Sequence, residues 1–304
     1  TMEAAARSAV PAGGALAVDR DEFSAYVTQK LRSHPNVHIV VREETELPEA
    51  GIVATGPLTE GALYAAIGAR FGGGQHFYDA TAPVVTAESV DLAHTFTGDR
   101  YGRGTGDYIN CPLTKEEYGL FVQELLAAEK VTLREFEKRE IFEGCMPVEV
   151  MASRGKDALR FGTFKPVGLA GEDGKRPYAV LQLRRENAEG TLLGLVGCQT
   201  NLRFGEQRRV FGIIPALRNA EYERYGVMHR NTFLDAPEVL NADFSAKDAP
   251  MLFFAGQITG VEGYVESAMS GLLAAMHFLQ KKRGREIVIP EDTSVCGALS
   301  RYIA

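Results

Sequence analysis

Residues 251–284 read MLFFAGQITGVEGYVESAMSGLLAAMHFLQKKRG, and this stretch decides the fold. The apolar run Met251–Ala255 predicts a buried strand, and Gly256, Gly260 and Gly263 follow it at spacings of four and three. Apolar residues then recur at helical spacing: Val265, Ala268, Met269, Leu272, Leu273, Met276 and Leu279. A glycine turn lets the backbone approach a ligand closely, and the helix N-terminus offers free N–H groups. The stretch therefore predicts a nucleotide-cofactor site and favours a flavin.

The start of the chain lacks the usual dinucleotide fingerprint. No G-x-G-x-x-G opens a βαβ unit there, where glycines would lie under a pyrophosphate. The chain opens with Thr1, and Met2–Ala9 predicts a helix with no strand before it. We interpret the sequence as a piece of a longer protein. A complete domain of unusual architecture is the alternative.

Composition bounds the class of protein. With 304 residues, 45% hydrophobic and 24% charged, the chain is typical of a globular protein with two domains. The net charge of −7 argues against a wholly basic nucleic-acid binder but leaves room for a local basic patch. No apolar run is long enough to span a bilayer and no signal peptide opens the sequence, so we expect no membrane partner.

The cysteines indicate free thiols. No pair has zinc-ligand or C-x-x-C spacing, which predicts no metal site and favours a reducing cytoplasm: Cys111, Cys145, Cys198, Cys296. Gly144 and Pro147 would hold Cys145 on a tight turn, and Arg154 and Lys156 follow closely enough to lower the pKa of its thiol. A buried cysteine acting as a small hydrophobe is the alternative.

The predicted pattern of strands and helices changes twice along the chain. Strands and helices alternate at first, then short strands and loops follow, and the alternation returns near Met251. The predicted elements are helix Asp19–Arg32, strands His38–Arg42 and Gly51–Pro57, helix Glu60–Arg70, helix Thr114–Ala128, and a hairpin of Tyr178–Arg184 with Leu192–Gly197. This order predicts an α/β cofactor domain with a parallel sheet, formed by 1–75 and 246–304 and interrupted by an insertion domain, 76–245.

A basic strip with interleaved aromatics lies between Arg203 and Thr232. Cations beside Phe204 and Tyr225 suit phosphate contacts and base stacking. The candidate RNA-binding residues are Arg203, Arg208, Arg209, His229 and Arg230, with Lys165 as a further exposed cation. A solvated helix face with a structural His–Arg pair is an equally good interpretation.

Seven strings, in order over nearly the whole chain, resemble the TrmFO family of tRNA-modifying flavoproteins. They are residues 10–20, 54–59, 108–112, 142–147, 165–169, 225–232 and 260–267. The resemblance implies an incomplete Rossmann-like FAD-binding domain of the GidA/TrmFO type, interrupted by an α+β insertion domain.

The resemblance also implies an activity and a set of site residues. FAD, reduced by NAD(P)H, takes a one-carbon unit from 5,10-methylenetetrahydrofolate to C5 of uridine 54 in the tRNA T loop. Cys145 matches one of two cysteines implicated in catalysis, as nucleophile or proton carrier. The residues that match the flavin-binding segments are Ala54, Thr55, Gly56, Gly256, Gln257, Gly260, Gly263 and Tyr264.

The sequence departs from the family pattern at its start, where the glycine fingerprint and the second cysteine are absent. We therefore predict that this chain alone binds FAD poorly and is inactive. Two alternatives stay open. One is a related flavoprotein that modifies the tRNA wobble uridine, which predicts a long C-terminal helical tail. The other is a non-catalytic tRNA-binding relative, which would tolerate any residue at position 145.

Overall fold

A computed structural model describes residues 1–72, 75–102, 104–131, 146–171 and 174–304. The helices are α1 Met2–Arg7, α2 Arg20–Arg32, α3 Gly61–Phe71, α4 Lys115–Ala127, α5 Val148–Ser153, α6 Ala158–Phe161, α7 Phe204–Phe211, α8 Ala236–Val239, α9 Tyr264–Lys282 and α10 Val295–Ile303. The strands are β1 Ala9–Val10, β2 Ala17–Val18, β3 Gly51–Val53, β4 Gln75–Ala80, β5 Val84–Thr86, β6 Phe96–Thr97, β7 Ile109–Leu113, β8 Ala179–Arg185, β9 Leu192–Leu195, β10 Tyr222–Arg224, β11 Met228–Phe233, β12 Ser245–Ala246 and β13 Ala249–Phe254.

The chain divides into two compact units, each built from two stretches of sequence. The first unit holds Thr1–Ile39 and Asp79–His229, and the second holds Val40–Tyr78 and Arg230–Ala304. The chain crosses between the units three times: between Ile39 and Val40, inside β4 and inside β11. The domain boundaries predicted after residues 75 and 245 stay predictions.

The first unit is built on an antiparallel sheet of six strands in the order β10-β5-β9-β8-β7-β6. The predicted hairpin of β8 and β9 is confirmed, with Leu183 opposite Leu195. Helix α4 lies within the predicted range Thr114–Ala128. Thr114 is its N-cap: the Thr114 hydroxyl accepts from the Glu117 N–H while the Glu117 carboxylate accepts from the Thr114 N–H. Phe121 and Leu125 of that helix are fully buried in the core.

The second unit is built on a sheet of three strands in the order β12-β13-β3. Strands β3 and β13 are parallel, with Phe253 opposite Ile52 and Phe254 opposite Val53. Phe253 and Phe254 are fully buried, and each contributes about 1.5–3 kcal/mol by leaving water. Helix α9 packs on β13 and completes the predicted strand, turn and long helix. The parallel pairing predicted for this domain is therefore confirmed for one pair of strands.

The predicted strand His38–Arg42 is wrong. The structure places no strand there among the described residues, and Val40 and Val41 are 71% and 93% exposed. The chain passes from the first unit to the second between Ile39 and Val40. β-branched residues favour strands only where a neighbouring strand and a buried face exist. The strand preference of Val40 and Val41 therefore does not produce a strand where the chain crosses between the units.

Candidate functional site

The two segments that match the flavin-binding pattern meet at one end of the parallel pair in the second unit. Strands β3 and β13 run side by side, so Ala54–Gly56 and Ala255–Gln257 both leave the sheet at its carboxyl edge. The Ala255 N–H donates to the Val53 carbonyl over 3.0 Å, which extends the pairing one residue past the strands. Ligands of open α/β sheets bind in the crevice outside this edge.

The bend after β13 is held by its own hydrogen bonds. Residues Gly256–Thr259 form a 3-10 turn, and the Thr259 hydroxyl donates to the Gly256 carbonyl over 2.8 Å. Buried Ser270, on α9, accepts from the Gly256 N–H over 2.8 Å and donates to the Ser267 carbonyl over 2.7 Å. Gly260 closes the turn with a left-handed φ of +80°. The bend is thus preorganised by α9.

Backbone is open to a ligand at both segments. Gly56 and Gly256 have left-handed φ values of +79° and +77°, and a Cβ added to either would meet no atom of the described residues within 4 Å. The Thr59 hydroxyl donates to the Gly56 carbonyl over 2.8 Å and lies 2.7 Å from the Thr55 hydroxyl. Two half-buried turns whose left-handed residues are glycines fit a flat cofactor that lies against backbone.

Helix α9 begins beside this bend without a side-chain cap. Gly263 is its N-cap, and the first helical bond runs from the Ser267 N–H to the Gly263 carbonyl over 2.8 Å. Tyr264 is 85% exposed. Gly263 has an ordinary φ of −64°, and the atoms nearest to an added Cβ are those of the Glu266 carboxylate, the end of an exposed and flexible side chain. Glu266 lies in the first turn of the helix and complements the helix dipole there.

A histidine cluster that the sequence analysis missed lies in the same unit. The Tyr64 hydroxyl is 2.8 Å from His76 Nε2, which the Arg230 guanidinium also contacts, and the Thr232 hydroxyl is 3.3 Å from His76 Nδ1. Because a guanidinium only donates, Nε2 accepts and the proton of the neutral ring lies on Nδ1. Burial and the Arg230 charge lower the pKa of His76.

The cluster is tied to the Gly56 turn. The Thr232 N–H donates to the Pro57 carbonyl over 2.7 Å. A lone histidine after a run of glycines carries no spacing signal, and only the pairing of distant segments reveals this group. Both ring nitrogens of His76 have hydrogen-bond partners, so the cluster joins α3, β4 and β11 beside the Gly56 turn.

The predicted RNA-binding cations have different surroundings. In the first unit, Arg203 pairs with Glu129 over 2.8 Å, and Arg209 pairs with Glu206 over 2.8 Å and also with Glu124. Arg208 instead donates to the Tyr225 hydroxyl over 2.7 Å. Half-buried Lys165 has its ammonium 6.0 Å from the centre of the Tyr101 ring. Half-buried His229 ends the first unit, whereas Arg230 belongs to the histidine cluster of the second.

The described cysteines carry no disulfide. Cys145 lies outside the described residues, so its placement stays a prediction. Burial raises the pKa of Cys111 to about 12 and raises that of fully buried Cys198 well above its usual value, so both remain protonated thiols in the core. Half-buried Cys296 has its sulfur 3.0 Å from that of Met269. Over the described ranges, no three His, Cys, Asp or Glu side chains cluster as metal ligands.

Two cavities of the first unit, of about 540 and 580 Å³, are lined by other residues than the candidates. Among the helices that the structure describes, none has the length and apolar character needed to cross a bilayer.

Comparisons with known proteins support the family that the sequence strings indicate. The model of the family described as "Glucose inhibited division protein A" matches residues 1–286. Two curated proteins named "Methylenetetrahydrofolate--tRNA-(uracil-5-)-methyltransferase TrmFO", from Acetivibrio thermocellus and Natranaerobius thermophilus, are each 54% identical to this chain. The alignments cover 100% and 99% of the chain and 70% and 71% of those proteins.

Solved structures give the fold. Two crystal forms of Aquifex aeolicus GidA match with TM-scores of 0.69 and 0.68 at 16% identity. Each match covers 94% of this chain, which spans about half of the GidA chains, 52% and 54%. The predicted GidA/TrmFO-type fold is thereby confirmed.

Proposed function

Because this chain belongs to the TrmFO family, we propose that it is a folate- and FAD-dependent tRNA (uracil-5-)-methyltransferase. The observation that carries the proposal is the pair of open left-handed glycines, Gly56 and Gly256, at the carboxyl edge of the parallel strands. Relatives at 54% identity bear the name of this activity. The finer assignment, to uridine 54 of the T loop, rests on the resemblance of the sequence strings.

The flavin would be held by the two turns and by the start of α9. We assign Ala54, Thr55 and Gly56 to one side and Gly256, Gln257, Gly260, Gly263 and Tyr264 to the other. Bound FAD, reduced by NAD(P)H, supplies the chemistry that moves a one-carbon unit from 5,10-methylenetetrahydrofolate to C5 of uracil. The protein's own contribution is an open backbone surface that admits a flat ring and a bend that Ser270 keeps in place.

Cys145 would activate the uracil. A thiolate that adds to C6 makes C5 an enolate-like nucleophile, which forms the bond to the one-carbon unit. Loss of the C5 proton then breaks the C6–S bond, expels the thiolate and restores the C5–C6 double bond. Arg154 and Lys156 follow it in sequence and favour the thiolate. Cys111 and Cys198 are poorer candidates, since both are buried thiols whose pKa values are raised.

The tRNA would lie on cations of the predicted insertion domain, 76–245. We assign phosphate contacts to Lys165, Arg203, Arg208, Arg209, His229 and Arg230. Arg208 is the strongest of these, because its described partner is a hydroxyl, whereas Arg203 and Arg209 share their charge with carboxylates. The free thiols are consistent with a cytoplasmic enzyme.

The test is a methyl-transfer assay on a protein of the full length of its relatives. FAD, NAD(P)H, tRNA and 5,10-methylenetetrahydrofolate labelled in the transferred carbon are supplied together. We expect label in 5-methyluridine at position 54, and none when that position carries cytidine. Label in the anticodon wobble uridine instead would favour the related wobble-modifying flavoprotein.

Cys145→Ala separates the enzyme from a non-catalytic RNA binder. The variant should lose methyl transfer while NAD(P)H still reduces its flavin. Trapping on RNA that carries 5-fluorouridine distinguishes the two roles of the thiol, because a nucleophile forms a stable adduct and a proton carrier does not. Tight tRNA binding without methyl transfer in the parent protein would overturn the proposed activity.

A further inference from the structure

Three aromatic rings form a stacked ladder in the first unit. The rings of Phe204 and Tyr225 lie 4.6 Å apart at 14°, and those of Tyr225 and Tyr222 lie 5.0 Å apart at 6°. Near-parallel stacking of three rings is the arrangement that successive nucleobases adopt on aromatic side chains. The ladder joins the start of α7 to strand β10.

One end of the ladder is anchored and the other is open. Tyr222 is half-buried, pairs with Val85 in the sheet and donates from its hydroxyl to the Gln207 carbonyl over 3.3 Å. Phe204, at the other end, is 52% exposed. A flat ring placed on Phe204 would therefore become the fourth member of the stack.

Hydrogen bonds of Gln207 hold the two segments that carry Phe204 and Tyr225. Fully buried Gln207 donates to the carbonyls of Leu202 and Gly226, over 2.7 and 2.8 Å, and accepts from the Gly226 N–H over 2.8 Å. These bonds join the residues on both sides of the Phe204–Tyr225 contact. A preorganised platform loses little conformational entropy when a ligand stacks on it.

The charges beside the ladder favour a nucleotide over an apolar partner. Arg208 is exposed, and its guanidinium donates to the hydroxyl of the middle ring, Tyr225. A guanidinium has five donors, so this bond leaves Arg208 able to bind a phosphate at the same time.

We propose that the exposed face of Phe204 binds one unpaired nucleobase of the RNA substrate, with Arg208 on an adjoining phosphate. The proposal rests on the proposed function, since it deepens the assignment of tRNA as the partner. Aromatic platforms are how proteins recognise bases that have left a stack, as in loops. The site positions RNA and takes no part in the chemistry.

The test uses fluorescence, because the 304 residues contain no tryptophan. Phe204→Trp provides one reporter, and Phe161→Trp provides the control, since Phe161 is 74% exposed and the Arg160 guanidinium lies 5.5 Å from its ring centre. A T-arm hairpin RNA should quench the tryptophan of the Phe204→Trp variant and leave that of the Phe161→Trp variant bright. Hairpins with one abasic loop position each should abolish the quenching at a single position.

Affinity supplies the second readout. Phe204→Ala should weaken hairpin binding about 5- to 150-fold, from about 1–3 kcal/mol per stacked base. Phe204→Tyr should bind as the parent does. The binding constant falls as salt rises, and a plot of its logarithm against log salt has a negative slope. Arg208→Gln should make this slope less steep by about 0.7, the amount expected for one lost phosphate contact on a single strand. Arg20→Gln, which removes an exposed cation paired with Glu186, should leave that slope unchanged.

The outcomes separate the two proposals. Hairpin binding that is unaffected by Phe204→Ala, with no quenching in the Phe204→Trp variant, would overturn the stacking site and leave the methyltransferase assignment intact. Quenching by a duplex without a loop as strong as by the hairpin would also overturn it. If no RNA binds, both the stacking site and the methyltransferase assignment are overturned.

Discussion

Replacing Gly256 by alanine tests the cofactor site most directly. Gly256 has a φ of +77°, and no atom of the described ranges lies within 4 Å of the position of an added Cβ. The expected cost to folding is therefore that of the left-handed backbone, about 1–2 kcal/mol. If a flavin ring lies against this backbone, the same methyl group enters the space of the ring.

The two effects have different sizes and different readouts. Urea unfolding should show the loss of about 1–2 kcal/mol in the free energy of unfolding. Forcing a methyl group into a packed contact costs about 1–3 kcal/mol, so FAD should bind about 5- to 150-fold more weakly. The affinity is measured by flavin fluorescence titration in a protein of the full length of its relatives.

Gly284→Ala is the matched control. Gly284 also has a left-handed φ, +61°, and open space around an added Cβ, but it follows the C-terminal end of α9. It should lose a similar free energy of unfolding and keep the parent affinity for FAD. Equal FAD affinity in the two variants would refute the placement of the flavin against Gly256.

Three further predictions concern the bend, the thiols and a helix cap. Ser270→Ala removes the buried acceptor of the Gly256 N–H and should cost about 1–3 kcal/mol in urea unfolding, with weaker FAD binding. Iodoacetamide at pH 8 should label Cys145 in the native protein but leave Cys111 unlabelled, because a pKa of about 12 keeps that thiol protonated; labelling of both would contradict this. Asp19→Ala should lower the free energy of unfolding by about 1 kcal/mol at pH 7, since Asp19 caps α2. The hydrogen bonds that the Asp19 carboxylate accepts lower its pKa. The difference in unfolding free energy between variant and parent should therefore disappear as the pH falls through that lowered pKa.

Local signals identified the elements whose causes are local. The helix after Thr114 and the strand, turn and helix around Gly256 depend on neighbours in sequence, and both follow the prediction. The exposed run at Val40 and Val41 shows the limit, because a strand needs a partner that the sequence does not name. Tertiary context also decided which arginines are paired and assembled the His76 group from distant segments.

Gly263 differs from the two glycines before it in its backbone conformation. Spacing grouped it with Gly256 and Gly260 as a turn glycine, yet its φ is an ordinary −64°, whereas theirs are left-handed. Spacing in one sequence does not distinguish a glycine that the backbone conformation requires from one that it does not.

The parallel pair of β3 and β13 joins Gly51 to Leu252, about 200 residues later in the chain. At a ribosomal rate of about 5–20 residues per second, β3 leaves synthesis roughly 10–40 s before its partner exists. The edge of β3 that pairs with β13 lacks this partner for that time, while the antiparallel sheet of the first unit is completed. We expect the nascent chain to depend on chaperones in this interval, and the two cofactor turns to come together only after β13 has been synthesised.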